Sequence, residues 1–169
     1  RAINKLLKEE VSSDKIVTDE VLIAGERDAD GLTQLYSHTF KFYPTPIAEP
    51  GYVLKTMKEG TVYAIIREGN KIVSAASAEV ERNFYNAELT DCASLPQVQG
   101  KGYMKKLLSK LEQILKQQNV HCLYTIARAE SYSMNKVFHQ LQYTFSGRMI
   151  NNCYIYSGLE DMNVWFKLI

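Results

Sequence analysis

At 169 residues, 46% of them hydrophobic, the chain is sized for one domain with a substantial core. Its charge is nearly balanced at +1 and it has no arginine-rich or basic-aromatic run, which argues against nucleic acid as a partner. No apolar run approaches the ~20 residues of a membrane helix and no secretory signal opens the chain, so no membrane association and a cytoplasmic location are expected.

Arg1 rather than Met begins the sequence, which is expected to be a piece of a longer chain. Residues 1–20 read as a weak helix (Ile3–Glu10) and a polar linker, the remnant of an upstream segment, and 21–169 as one domain. Val21–Glu26 is a first strand. Asp28 is a suitable N-cap for a helix to about Phe40, with Leu32, Leu35, Tyr36 and Thr39 at helical spacing. Tyr43–Gly51 holds three of the four prolines and is therefore a stiff loop, either a plain connector or the wall of a binding pocket. A short helix follows, Gly51–Glu59. Thr61–Arg67 and Lys71–Glu81 form a hairpin about Gly69-Asn70.

Arg82–Asn86 turns into a strand, Ala87–Ser94, which carries Glu88 and Asp91. Beyond it, Gln97-x-x-Gly100-x-Gly102 opens a long helix whose Met104, Leu107, Leu108, Leu111, Ile114 and Leu115 form an apolar stripe. A strand that gives way to a helix leaves N–H groups unpartnered at the positive end of the helix dipole, which suits a phosphate or pyrophosphate. Gly100 and Gly102 allow close backbone approach, and Lys101, Lys105 and Lys106 add positive charge. The spacing is neither a P-loop nor a dinucleotide fingerprint. Asn119 ends the helix. Cys122–Arg128 is a buried strand, parallel to its predecessor because a helix joins them. Ser131 caps a helix from Tyr132 to about Gln140, and Tyr143–Ile150 and Tyr154–Ile169 are the last strands, broken near Asn151-Asn152 and Gly158–Glu160.

The Gln-x-x-Gly-x-Gly turn resembles the pyrophosphate-binding signature of the GNAT N-acetyltransferases. From Val21 onward the chain is most similar, within them, to the β-lysine N(6)-acetyltransferase family. The matching stretches are Tyr43-Pro44-x-Pro46-Ile47, Ala87-Glu88-x-Thr90-Asp91-Cys92-Ala93, Thr125–Ala129, Met134-Asn135-x-x-Phe138, Asn151-Asn152 and Met162–Trp165. The resemblance implies an α/β GNAT fold: a mixed, mostly antiparallel central sheet, splayed between strands 4 and 5, with helices on both faces. It implies acetyl-CoA as donor, bound by Ala93, Ser94, Leu95, Gln97, Val98, Gln99, Gly100, Lys101, Gly102 and Tyr103, with Ser131 and Asn135 as further cofactor contacts. A small amine would be the acceptor, most narrowly L-β-lysine, giving N(6)-acetyl-β-lysine, a compatible solute. Self-association to a homodimer is compatible with this reading.

Acetyl transfer to a lysine-type amine needs a base, because that amine is protonated at neutral pH with a reference pKa of about 10.4. Glu88 and Asp91 are the catalytic candidates, and the family places a general base at the position resembling Glu88. Three apart on a strand, they fall on opposite faces unless a bulge intervenes, as is typical of this strand in the family. The oxyanion partner is expected among the N–H groups of Ala93–Leu95. Where many members carry a tyrosine as general acid, this chain has Phe138; Tyr124, Tyr132 and Tyr143 are nearby but read as packed aromatics, and solvent can protonate a thiolate. Substrate contacts are expected from Tyr43, Thr90, Arg128 (a bidentate fit to a carboxylate), Asn151 and Asn152. Cys92, Cys122 and Cys153 lack metal-ligand spacing and His38, His121 and His139 do not cluster, so no metal is expected. Competing readings are an acetyltransferase for protein lysine or polyamines, a non-catalytic acyl-CoA-binding module, and a nucleotide-binding domain. The last lacks the phosphate-loop lysine and an acidic ribose partner.

Overall fold

The computed structural model describes residues 20–155 and 158–169, so the helix expected over Ile3–Glu10 and nearly all of the linker lie outside it. The chain order is β1 (Leu22–Ile23), α1 (Ala29–Thr39), α2 (Pro50–Glu59), β2 (Val62–Glu68), β3 (Lys71–Glu81), β4 (Asn86–Ser94), α3 (Tyr103–Gln117), β5 (Cys122–Arg128), α4 (Tyr132–Gln140), β6 (Thr144–Ile155) and β7 (Gly158–Leu168). The alternation of elements is the one read from the sequence, with three local differences.

The first strand pairs through Leu22 and Ile23 only, because the chain turns into a 3-10 helix at Glu26. Asp28 does not cap α1 with its side chain; its Oδ2 accepts from the Gly25 N–H at 2.9 Å and its other oxygen pairs with Arg67, tying the loop to β2. The break expected at Asn151-Asn152 is an irregularity inside a continuous β6, between Met149 and Cys153, with Asn151 at φ +47°.

The described strands form one sheet in the order β1-β2-β3-β4-β5-β7-β6, antiparallel throughout except for β4 beside β5. Connecting β4 to a parallel neighbour requires a crossover, which α3 supplies. Its apolar stripe is buried at Met104, Leu107, Leu108, Leu111 and Leu115. β3 is buried from Ile72 to Ala78, so both faces of the sheet centre are covered. Gly31 lets α1 come close to β3: a Cβ there would lie 3.0 Å from the Ile72 side chain.

On the face under α4, a single amide fastens the second half of the domain. Asn135, 1% exposed, donates to the carbonyls of Arg128 (2.9 Å) and Ser131 (2.8 Å). Its oxygen accepts from Asn163 Nδ2 (2.8 Å) and from the indole N–H of Trp165 (2.9 Å). All four of its hydrogen-bonding positions are thus used, which offsets the local cost of an asparagine within a helix. Asn135→Ala strands two buried donors, so a loss of at least about 2 kcal/mol of stability is expected, read as a lower urea midpoint with an unchanged slope.

Candidate active site

The site begins with one extra residue in β4. β3 and β4 pair in one register through Ser77↔Thr90, Ala78↔Leu89 and Glu79↔Glu88, and in another through Ser74↔Ser94 and Ala75↔Ala93. Between the two, Asp91 sits at φ +49°, in the left-handed region. Such a bulge interrupts side-chain alternation and re-aims the residue that forms it. Ser77 and Glu79 share a face of β3, Glu88 lies opposite Glu79, and the Ser77 hydroxyl donates to Asp91 Oδ2 at 2.7 Å. The bulge therefore brings Asp91 round to the face that already carries Glu88 and Thr90.

That face is acidic and lined with phenols. Tyr43, from the proline loop, donates to Asp91 Oδ1 at 2.7 Å, and Tyr63 shares a hydrogen bond with Thr56 at 2.8 Å. Asp91 is 6% exposed. Burial raises its pKa, against the opposing hydrogen bonds of Ser77 and Tyr43. Burial likewise raises Glu88, reinforced by Glu79, while the Tyr124 hydroxyl on the facing strand works the other way. Glu79 is raised by burial and by the charge of Asp91. Tyr63 is pushed up to about 12 by burial, and burial first and Asp91 second raise Tyr36 and Tyr43 as well. Among the described residues no lysine or arginine forms an ion pair with Glu79, Glu88 or Asp91. Three unneutralised carboxylates on one face are arranged for a cation.

Beside this face the sheet opens. β4 and β5 pair only through Asn86↔Cys122, Ala87↔Leu123 and Glu88↔Tyr124. Beyond Glu88 the β5-facing edge of β4 has no strand partner among the described residues, although β4 continues to Ser94. The Leu95 N–H donates to Val73 at 2.9 Å, so of the three groups expected at the oxyanion position this one is taken. Alternation along the strand then directs the N–H groups of Ser94 and Cys92 away from β3, toward the gap. At the end of the gap, Pro96–Val98 forms a 3-10 turn, and Gly100 (φ +81°) and Gly102 (φ +79°) lead into α3. A Cβ on Gly100 would meet nothing within 4 Å; its conformation, rather than crowding, calls for glycine. The open edge and the helix start fit an extended arm ending in a pyrophosphate.

The chain's family is legible in this arrangement and in its sequence. Residues 30–142 match the acetyltransferase (GNAT) family model. The chain belongs to the GNAT acetyltransferase family. It is 42% identical over 146 residues to a β-lysine N(6)-acetyltransferase of Methanosarcina mazei, covering 86% of this chain and 54% of that protein. It is 41% identical over 144 residues to the N-acetyltransferase YodP of Bacillus subtilis, covering 85% and 52%. The chain thus spans about half the length of the curated relatives it matches. Among solved structures it shares its fold with yncA, a putative acetyltransferase from Salmonella typhimurium determined with acetyl-CoA: TM-score 0.78, 19% identity, covering 89% of this chain and 94% of that one.

Several residues expected to serve a GNAT site are engaged elsewhere. Arg128 spends its fork on Glu160, Nε to Oε2 at 2.7 Å and an Nη to Oε1 at 2.8 Å, and so does not stand ready for a substrate carboxylate. Asn135 is saturated by protein partners and has no hydrogen-bonding position left for CoA. Ser131 precedes α4 without a side-chain cap bond and serves Asn135 through its carbonyl. Val98 is a core residue, and buried Tyr103 directs its hydroxyl at Glu68, as does Lys101 its ammonium. Gln97, Gln99, Gly100 and Gly102 lie exposed on the turn. Asn151 and Asn152 are exposed, the Asn151 N–H bonded to Asp161 at 3.0 Å. Phe138 is buried edge-on to Tyr143.

Other residues at the GNAT site were not anticipated: Tyr36, Tyr63, Ser77, Glu79 and the Cys92 N–H. Tyr36 falls on an apolar helix stripe, where a phenol looks like core. Glu79 and Ser77 were detectable only by pairing β3 against a bulged β4, whose bulge no residue type announced. Because burial raises the Asp91 pKa, folding at neutral pH holds a charge that the unfolded chain carries at less cost. Relative to Asp91→Asn, the wild type should therefore gain stability as pH falls from neutral through the raised Asp91 pKa toward the ordinary aspartate value. Paired thermal melts across that range measure the difference, and a constant offset would contradict it.

Proposed function

We propose that this domain transfers acetyl from acetyl-CoA to the terminal amine of a small cationic amino acid, with Glu88 as general base. The observation that carries it is the placement of Glu88: it is the last residue of β4 paired to β5, at the mouth of the gap, on the acidic face. In this reading the pantetheine arm runs along the free edge of β4 and the pyrophosphate rests on Gln97–Tyr103. The Cys92 and Ser94 N–H groups face the thioester oxygen as charge develops on it. Glu88 takes a proton from the ammonium, directly or through a water, and passes it to solvent; the neutral amine attacks the carbonyl carbon, the nitrogen loses its second proton by the same route, and the carbon–sulfur bond breaks to release the CoA thiolate. With phenylalanine at 138, solvent protonates the thiolate.

L-β-lysine is the acceptor we favour, because the Methanosarcina mazei relative bears that name and the acidic face suits an amine-rich molecule. The unneutralised carboxylates also favour, as a second reading, a small polyamine. Coenzyme A release with L-β-lysine, L-lysine, spermidine and a lysine peptide offered separately tests the assignment. Turnover of β-lysine well above that of the lysine peptide, with mass spectrometry placing acetyl on the terminal nitrogen, is the expected result; turnover of spermidine above β-lysine would favour the polyamine reading.

Two variants test the mechanism. Glu88→Gln should lower kcat by about 10²- to 10⁴-fold while acetyl-CoA binding, read by calorimetry, stays put; a binding module would be indifferent. The base must be ionised, so activity rises with pH through the Glu88 pKa, which burial and Glu79 hold above the ordinary glutamate value. Tyr124 opposes that rise, so Tyr124→Phe should move the acid limb of kcat/KM to higher pH. A limb that moves down or stays fixed would remove Glu88 from the role.

A further inference from the structure

Asp91 and Glu88 are not equivalent in their surroundings. Glu88 is half-buried at the gap with Tyr124 beside it. Asp91 is deeper, with each oxygen already accepting one hydroxyl, from Tyr43 and from Ser77. A carboxylate held this way retains a lone pair on each oxygen and a fixed orientation, which suits an anchor better than a group that must take and release protons. An unsatisfied buried group accompanies it. The Tyr36 hydroxyl, on a side chain 1% exposed, has no hydrogen-bond partner among the described residues. It lies within electrostatic reach of Asp91, Tyr63 and Tyr43. A buried phenol oxygen without a partner carries a cost that a bound donor removes.

Among the described residues, no lysine or arginine is ion-paired to the carboxylates of this face. Arg128, the obvious candidate for a substrate carboxylate, is clamped by Glu160. Three positions of β4 separate Glu88 from Asp91, roughly 10 Å at the usual strand rise before the bulge shortens it. That is a span which an extended chain bearing two amines can bridge when each is hydrogen-bonded to a carboxylate.

From these observations, and resting on the acceptor reading above, we infer that the site selects its acceptor by a second ammonium group and not by a carboxylate. Asp91 and the Tyr36 hydroxyl hold the non-reacting ammonium, Glu88 serves the reacting amine, and the acceptor's own carboxylate is left toward solvent. Tyr43 and Ser77 act as positioning residues by fixing the Asp91 carboxylate.

The test compares three acceptors on the wild-type chain: L-β-lysine, 6-aminohexanoate (the same skeleton without the second amine) and 1,4-diaminopentane (the same diamine without the carboxylate). A site built around a polar group rejects the analogue lacking it, so kcat/KM for 6-aminohexanoate should fall at least ~100-fold below β-lysine. The diamine, which keeps both amines, should stay within about 10-fold, since it leaves no buried polar group unpaired. Asp91→Asn and Tyr36→Phe should each shrink the ratio of β-lysine to 6-aminohexanoate, with the KM for acetyl-CoA unchanged. Equal turnover of β-lysine and 6-aminohexanoate, or refusal of the diamine, would overturn the inference and leave the acceptor reading standing. A preparation that binds acetyl-CoA yet acetylates none of the three would overturn both.

Discussion

β4 and β5 run side by side for three residue pairs and then part, and the rest of the domain is arranged around that separation. A parallel pair cannot be closed by a hairpin, so α3 has to cross over the sheet, and its start falls at the end of the gap. The same covalent path therefore supplies the free strand edge and the anion-binding turn. On its other side, β4 stays fully bonded to β3 through two registers, which keeps the edge rigid while it is open. A strand unpaired on both sides would have no fixed direction in which to present its N–H groups.

The extra residue that reconciles those two registers has a second consequence. Without it, Asp91 would face away from Glu88 and from Ser77. With it, three carboxylates lie on one face with no cation paired to them among the described residues; after burial, Asp91 raises the pKa of Glu79, and Glu79 and Asp91 raise that of Glu88. That is an electrostatically costly arrangement in a folded chain, since burial of unpaired charge opposes stability. The hydroxyls of Ser77 and Tyr43 offset part of the cost at Asp91, as Tyr124 does at Glu88. What they leave uncompensated is positive charge, and an ammonium-bearing acceptor brings it.

Most of the element order was legible because local signals mark it. β3, β5 and α4 fall where the Gly69-Asn70 hairpin signal, a buried-type run after the long helix and the Ser131 cap position put them, at Lys71–Glu81, Cys122–Arg128 and Tyr132–Gln140. The glycine turn was legible for a different reason: positive φ at Gly100 and Gly102 restricts which residues can stand there. What could not be read was partnership. Arg128 has the right chemistry for a carboxylate, and only the β5–β7 pairing reveals that the carboxylate belongs to Glu160, two residues from Arg128's partner Met162. Asn135 looks out of place in a helix, which is a signal of some role; the role is structural because Asn163 and Trp165 come from a strand that pairs with β5. The bulge was foreseen only through family resemblance, since Asp91 is not a residue type that left-handed geometry demands.

Two of the buried polar centres of the domain differ in how fully their groups are matched. On the α4 side, Asn135 has every donor and acceptor matched, and the network joins α4, β5 and β7 with nothing left over. On the α1 side, Asp91 keeps unused lone pairs and Tyr36 keeps an unused hydroxyl at similar depth. A fold selected only for stability would be expected to treat the two alike, because an unmatched polar group costs about as much under one helix layer as under the other. The incomplete network is also the one beside the gap in the sheet, and the complete one is not. Buried oxygens without a partner also lie on the other face, at Tyr143 and Glu112, so incompleteness alone does not place a ligand; what marks the α1 side is that its unmatched phenol lies within reach of carboxylates that no described cation neutralises, beside the gap in the sheet.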